Sequence, residues 1–206
     1  MTPEPISRPL AVGFRRLRNW SAVITILLIC MALAAGGEEV RELGRYQRDA
    51  VENGEYWRFI SGHLVHLGFG HLWPNLLALV IIGALFEGVL DNADWWRVSV
   101  ASAAAIDLGL YLFEPSVIWY VGLSGVLHGF VAAGALALCI GRQTLGFVLA
   151  SGLCAKLLFE QLAGPVPFTA ASVGGPVVVA AHLYGAAGGL LAEALARVIG
   201  RGRSRV

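Results

Sequence analysis

Long apolar runs, broken by short polar or Gly- and Pro-rich stretches, organise this chain from end to end. A helix that crosses a bilayer needs about 20 mainly apolar residues, because the hydrocarbon holds no water to satisfy exposed backbone groups. That ruler predicts six such helices. The first runs from about Trp20 to Ala35, after a leader containing Arg15, Arg16 and Arg18. A basic stretch, an apolar stretch and the small residues Ala32, Ala34 and Ala35 also follow the order of a secretory signal peptide, which is the competing reading of this segment. Gly36 to Trp57 form a mixed-charge loop long enough to hold amphipathic structure. The second span is expected from near Phe69 to Leu90 and the third from Trp95 to Phe113, with Trp95 and Trp96 as interfacial anchors and a polar turn, Asp91 to Asp94, between them. The fourth covers Val121 to Ile140, the fifth Leu145 to Ala163 and the sixth Pro176 to Ile199, the last two joined by a Gly- and Pro-rich loop. The expected fold class is therefore all-α, a polytopic bundle of six transmembrane helices at 20–199, with a basic leader at 1–19, a basic tail at 200–206 and no internal repeat.

Composition and charge agree with that pattern. The chain is 57% hydrophobic and 14% charged, against roughly 45–50% and about 25% in soluble domains. With 15 Lys and Arg against 14 Asp and Glu there is no basic footprint for nucleic acid, so the partner is membrane lipid. An even number of spans puts both ends on one side. Arg8, Arg15, Arg16, Arg18, Arg97, Arg142, Arg197, Arg201, Arg203 and Arg205 fall on that side, while only Arg41, Arg45, Arg48 and Arg58 fall on the other, interspersed with acids. The positive-inside rule then makes both termini cytoplasmic and turns the first, third and fifth loops outward. Cys30, Cys139 and Cys154 lie in apolar runs without the spacing of a metal site or a disulfide framework and read as packing residues. The 26 glycines, scattered through apolar segments, suit helices that approach one another closely.

Strongly polar residues inside a span are costly, so each is a functional candidate. Gly122-Leu123-Ser124-Gly125 opens the fourth span: a serine between small residues exposes its hydroxyl and lets another backbone approach, as a nucleophile requires, although such strings also serve as packing faces. In the sixth span His182 is followed by Gly185 and Gly189 on the same helix face. That face would press against another helix and carry His182 to hydrogen-bond distance of a serine; alone, the histidine could equally be bonded to a carbonyl in the bundle interior. His71 and Asn75, four residues apart on the second span, could both donate to an oxyanion. Three histidines, His63, His66 and His71, also invite a metal reading, but their spacing suits no single helix face and no metal is expected. His128 lies one turn beyond Ser124 and is the rival base, disfavoured because a regular helix leaves its ring little freedom to move between nucleophile and leaving group. Lys156 and Glu160 read as a mutually neutralising pair, Asp107 as bonded within the bundle, and Glu87 as pinning the end of the second helix. No carboxylate is expected beside His182.

Taken together, these groups resemble the rhomboid family of intramembrane serine proteases from the second span onward. The resemblance implies a six-helix rhomboid-like fold, with His71 and Asn75 lining an oxyanion hole, Ser124 as nucleophile and His182, backed by Gly185 and Gly189, as base. Glu87, twelve residues after Asn75, is similar to the family's second helix. Gly122 to Gly129 looks like the Gly-x-Ser-Gly-x-x-His-Gly signature of the rhombosortase subfamily, with Gly122, Gly125 and His128 as supporting residues, while the first loop departs from better-known rhomboids. Many rhomboids carry a tyrosine where His128 stands, which implies that His128 orients His182. The resemblance further implies a bacterial inner-membrane enzyme without cofactor that cuts the Gly-rich C-terminal anchor, a GlyGly-type tail, of secreted or surface proteins. The alternatives are a general rhomboid protease with other transmembrane substrates, an inactive rhomboid-like binder of membrane proteins, and a small transporter coupled through Asp107, Lys156 and Glu160. The last lacks the inverted repeat of broken helices such transporters use.

Overall fold

The computed structural model describes residues 8–167 and 174–203, with side chains at 20–167 and 174–200. Residues 1–7 of the predicted leader, 204–206 of the tail and 168–173 of the last loop lie outside the described residues. The long helices are α1 (Arg8–Ala35), α5 (Phe69–Leu85), α6 (Asn92–Phe113), α7 (Ser124–Ile140), α8 (Thr144–Ala163) and α9 (Val179–Arg203). The first loop folds into three short helices, α2 (Gly37–Gly44), α3 (Arg48–Glu52) and α4 (Arg58–Ser61), and a short strand, β1 (Tyr46–Gln47). That strand pairs antiparallel with β2 (Trp119–Tyr120), matching Tyr46 to Tyr120 and Gln47 to Trp119.

Each predicted run became a helix, with ends moved by local chemistry. Helix α5 stops at Leu85, short of the expected Leu90, because Gly88 turns the chain with φ 78°. Helix α6 starts at Asn92, earlier than expected, because Asp91 and Asp94 each accept the other's backbone N–H, at 2.9 and 3.0 Å. Helix α7 starts at Ser124 rather than Val121 because Gly122 takes a non-helical φ of 116° and donates its N–H to the Gly62 carbonyl.

Helices Asn92–Phe113, Thr144–Ala163 and Val179–Gly200 are long and apolar enough to cross a membrane, and Trp20–Ala35 with Gly37–Gly44, bent by 118° at the break, makes a fourth. Helices α5 and α7 are apolar but only 17 residues each. Leu77, Ile81, Leu108, Leu158, Leu162 and Leu195 face outward, an apolar exterior that water would oppose and lipid would not.

The core centres on α7, which packs on α9 through the predicted glycine face. A Cβ at Gly185 would collide with the Gly125 carbonyl, and one at Gly189 with that of Gly129. The first loop is tied to the bundle by polar bonds. The Arg48 guanidinium donates to the carbonyls of Leu110, Tyr111 and Glu114, which close the end of α6. Arg58 donates to the carbonyls of Glu42 and Arg45, and Ser61 to that of Gly44.

Candidate active site

Ser124 is the first residue of α7, so its hydroxyl sits where a helix N-terminus leaves backbone N–H groups without intrahelical partners. Its approach segment is held from both sides. The Tyr120 hydroxyl donates to the Gly122 carbonyl at 2.7 Å, and the Gly122 N–H donates to the Gly62 carbonyl at 2.9 Å. Gly122 itself adopts φ 116°, and a Cβ there would strike the His71 imidazole. Glycine is required at this point by both conformation and space.

The close packing of α7 on α9 brings His182 Nε2 to 3.0 Å from Ser124 Oγ. On its other side His182 Nδ1 lies 2.9 Å from Glu160 Oε2, on α8. A carboxylate can only accept, so Nδ1 carries the proton and Nε2 is left as an acceptor for the serine hydroxyl. The second carboxylate oxygen, Oε1, is 2.7 Å from the Lys156 ammonium. The expectation that no carboxylate stands beside His182 is therefore corrected. Glu160 does pair with Lys156 as predicted, and it also reaches His182 across a helix interface that one-helix periodicity cannot register.

His128 is not bonded to the serine hydroxyl. Its Nδ1 lies 2.7 Å from the Ser124 carbonyl, and its ring stacks on that of His182, with centroids 4.2 Å apart and planes at 15°. This contact is the one the resemblance implied for a residue that orients His182.

His71 and Asn75, on the first turns of α5, are buried and line the same cavity as Ser124, His128, Lys156 and His182, a space of ≈ 570 Å³ walled by apolar side chains of α5, α7 and α8. The Leu67 N–H points at His71 Nδ1 at 3.5 Å, which leaves the proton on Nε2 as a donor. Asn75 donates one amide N–H to the His71 carbonyl at 2.7 Å and keeps a second.

Residues 53–198, well over half of the chain, match the family model described as Rhomboid domain. The chain belongs to the rhomboid family. It is accordingly a membrane protein. This rhomboid is 28% identical over 141 residues to YdcA of Bacillus subtilis (strain 168), named as a candidate rhomboid protease, the match covering 68% of this chain and 67% of that protein. It is 25% identical over 114 residues to the rhomboid protease GluP of the same bacterium, over 53% of this chain and 22% of GluP. It is 42% identical over 104 residues to RHOMBOID-like protein 5 of Arabidopsis thaliana, over 50% of this chain and 34% of the plant protein.

Among the described residues, the other charged side chains within the long helices are paired. Asp107 bonds His63 Nε2 at 3.2 Å, beneath the edge of the Tyr120 ring, so it supports the segment before Ser124. His66 and His71 meet edge to face at 5.0 Å. Among the described residues, the group able to offer metal ligands is His128, Glu160 and His182, within 4.8 Å of one another, rather than the three upstream histidines. Two of its members are already engaged with each other, and the Lys156 ammonium beside Glu160 opposes a second cation there.

Proposed function

We propose that this rhomboid is an intramembrane serine endopeptidase that cuts the Gly-rich, GlyGly-type C-terminal anchor of secreted or surface proteins. The observation that carries this reading is the 3.0 Å contact between Ser124 Oγ and His182 Nε2, opening onto a cavity of ≈ 570 Å³ that also holds His71 and Asn75. Ser124 attacks the scissile carbonyl while His182 takes its proton and then delivers it to the leaving amine. The oxyanion is held by His71 Nε2–H, the second Asn75 N–H and the first backbone amides of α7, each such donor being worth about 3 kcal/mol when water is excluded. Water, or another amine, then releases the acyl group. No metal or organic cofactor takes part.

The Gly122 to Gly129 signature and the His128 stack on His182 support the rhombosortase assignment within the family. Glycine-rich substrates fit a site that must accept extended backbone, since glycine weakens a helix by about 1 kcal/mol per residue relative to alanine. The enzyme spans the bacterial inner membrane six times, α1, α5, α6, α7, α8 and α9 forming the domain at 20–199, with the basic leader at 1–19 and the tail at 200–206 both cytoplasmic.

The test is co-expression with a reporter that ends in a GlyGly-type anchor, comparing the parent with Ser124→Ala, His182→Ala and His128→Ala at matched membrane levels. Reporter release is expected to vanish in the first two and fall partially in the third. Release by Ser124→Ala equal to the parent would overturn the reading. A second reporter with a Leu-rich anchor separates this specificity from a general rhomboid protease, which would release both.

A further inference from the structure

We propose that Glu160 is a positioning residue of this site: clamped by the Lys156 ammonium, its carboxylate holds the His182 imidazole in the tautomer that leaves Nε2 free to accept the Ser124 proton. The inference rests on Ser124 and His182 being nucleophile and base, and it extends their pair to a line of three side chains from α7, α9 and α8.

The arrangement divides the two carboxylate oxygens. Oε2 receives His182 Nδ1–H at 2.9 Å, and Oε1 faces Lys156 Nζ at 2.7 Å. The Glu160 side chain is 0% exposed and that of His182 3%, whereas Lys156 is 35% exposed at the cavity wall. A buried carboxylate is expensive, and a hydrophobic replacement of a buried ion pair is often neutral or stabilising. Neutralising Lys156, whose ammonium nitrogen is itself buried, is a reason that accounts for Oε1 alone. Bonding to His182 is a stronger one. A carboxylate on Nδ1 fixes the ring's orientation and tautomer and stabilises the imidazolium formed when the serine proton is transferred. The stack of His128 fixes the ring plane, and Glu160 fixes the rotation within that plane.

Lys156 makes the proposal unusually testable. In Glu160→Gln the ammonium draws the amide oxygen toward itself, which turns the amide NH2 toward His182 Nδ1. Nδ1 must then accept, the proton moves to Nε2, and the nucleophile faces a donor instead of a base. A same-size substitution is thereby expected to do more damage than truncation, the reverse of what a packing role gives.

The experiment measures kcat and KM on a GlyGly-type anchor substrate in proteoliposomes for the parent, Ser124→Ala, Glu160→Ala, Glu160→Gln and Lys156→Met/Glu160→Gln. Wrong-tautomer substitutions in serine proteases cost about 10⁴ in kcat. On that scale Glu160→Gln is expected to lose about 10³-fold or more in kcat with KM nearly unchanged, and Glu160→Ala about 10–100-fold. The double variant, whose amide is free to turn its oxygen to Nδ1, is expected to regain at least about tenfold over Glu160→Gln. A Glu160→Gln enzyme that is more active than Glu160→Ala, or a double variant with no gain, overturns the proposal. Should Glu160→Gln not accumulate, Glu160→Ala decides, a kcat loss below about tenfold per folded molecule overturning it. Cleavage by Ser124→Ala at the parent rate would instead sink the protease reading, a result distinct from Ser124-dependent cleavage that ignores Glu160.

Discussion

Gly122 shows how much a single missing side chain can control. Its φ of 116° and the His71 ring against it leave no room for a methyl group, so Gly122→Ala is expected to cost about 1–3 kcal/mol and to displace the His71 ring. Thermal unfolding in detergent and reporter cleavage would both register the change. His66 gives a pH-dependent counterpart. Burial, and secondarily the His71 ring beside it, lowers His66 to about 3, so it stays neutral in the fold while the unfolded chain protonates. Stability is therefore lost as pH falls from about 6.5 toward 3, by up to about 1.4 kcal/mol per pH unit for this group. His66→Leu, which also removes a buried Nε2 without a hydrogen-bond partner, is expected to flatten the slope of unfolding midpoint between pH 7 and 5. Residue spacing picked out Ser124, His182, His71 and Asn75, which the fold brings to one cavity, because each group lies along a single helix. Glu160 was not legible: Lys156, one turn earlier, gave it a sufficient local partner, and His182 lies 22 residues on in a different helix.

Between elements, the decisive feature is the backbone contact of α7 with α9. Gly189→Leu would press against the Gly129 carbonyl and force the helices apart, at a cost of about 1–3 kcal/mol or more, and it would lengthen the reach from His182 to Ser124. We expect cleavage to fall further than stability does, with cleavage per folded molecule as the check. The apolar runs announced every long helix, and the glycine face announced which would touch. The ends were less legible because they depend on bonds a helix pattern does not carry: Asp91 with Asp94 at the start of α6, and, before α7, the Gly122 N–H on the Gly62 carbonyl beside the pairing of Tyr46 with Tyr120. That strand pair joins segments too far apart in sequence for any local pattern to reveal.

Over the whole molecule, the proposed spans α5 and α7 are short for a bilayer. At about 1.5 Å per residue α5 and α7 reach only about 25 Å, less than the roughly 30 Å of a typical hydrocarbon core. Cleavage by the reconstituted protein is therefore expected to be faster in phosphatidylcholine with 14-carbon chains than with 20-carbon chains, measured at equal protein density. Helix α8 carries a different consequence. Its buried residues are few, Gly146 and Glu160 among them, while Val148, Leu149, Gly152 and Leu153 form one wall of the cavity. The thinly packed wall of the cavity thus bears the carboxylate on His182. Should this wall move outward, the 2.9 Å bond would stretch with it, so opening the cavity from that side and releasing the His182 ring would be one event.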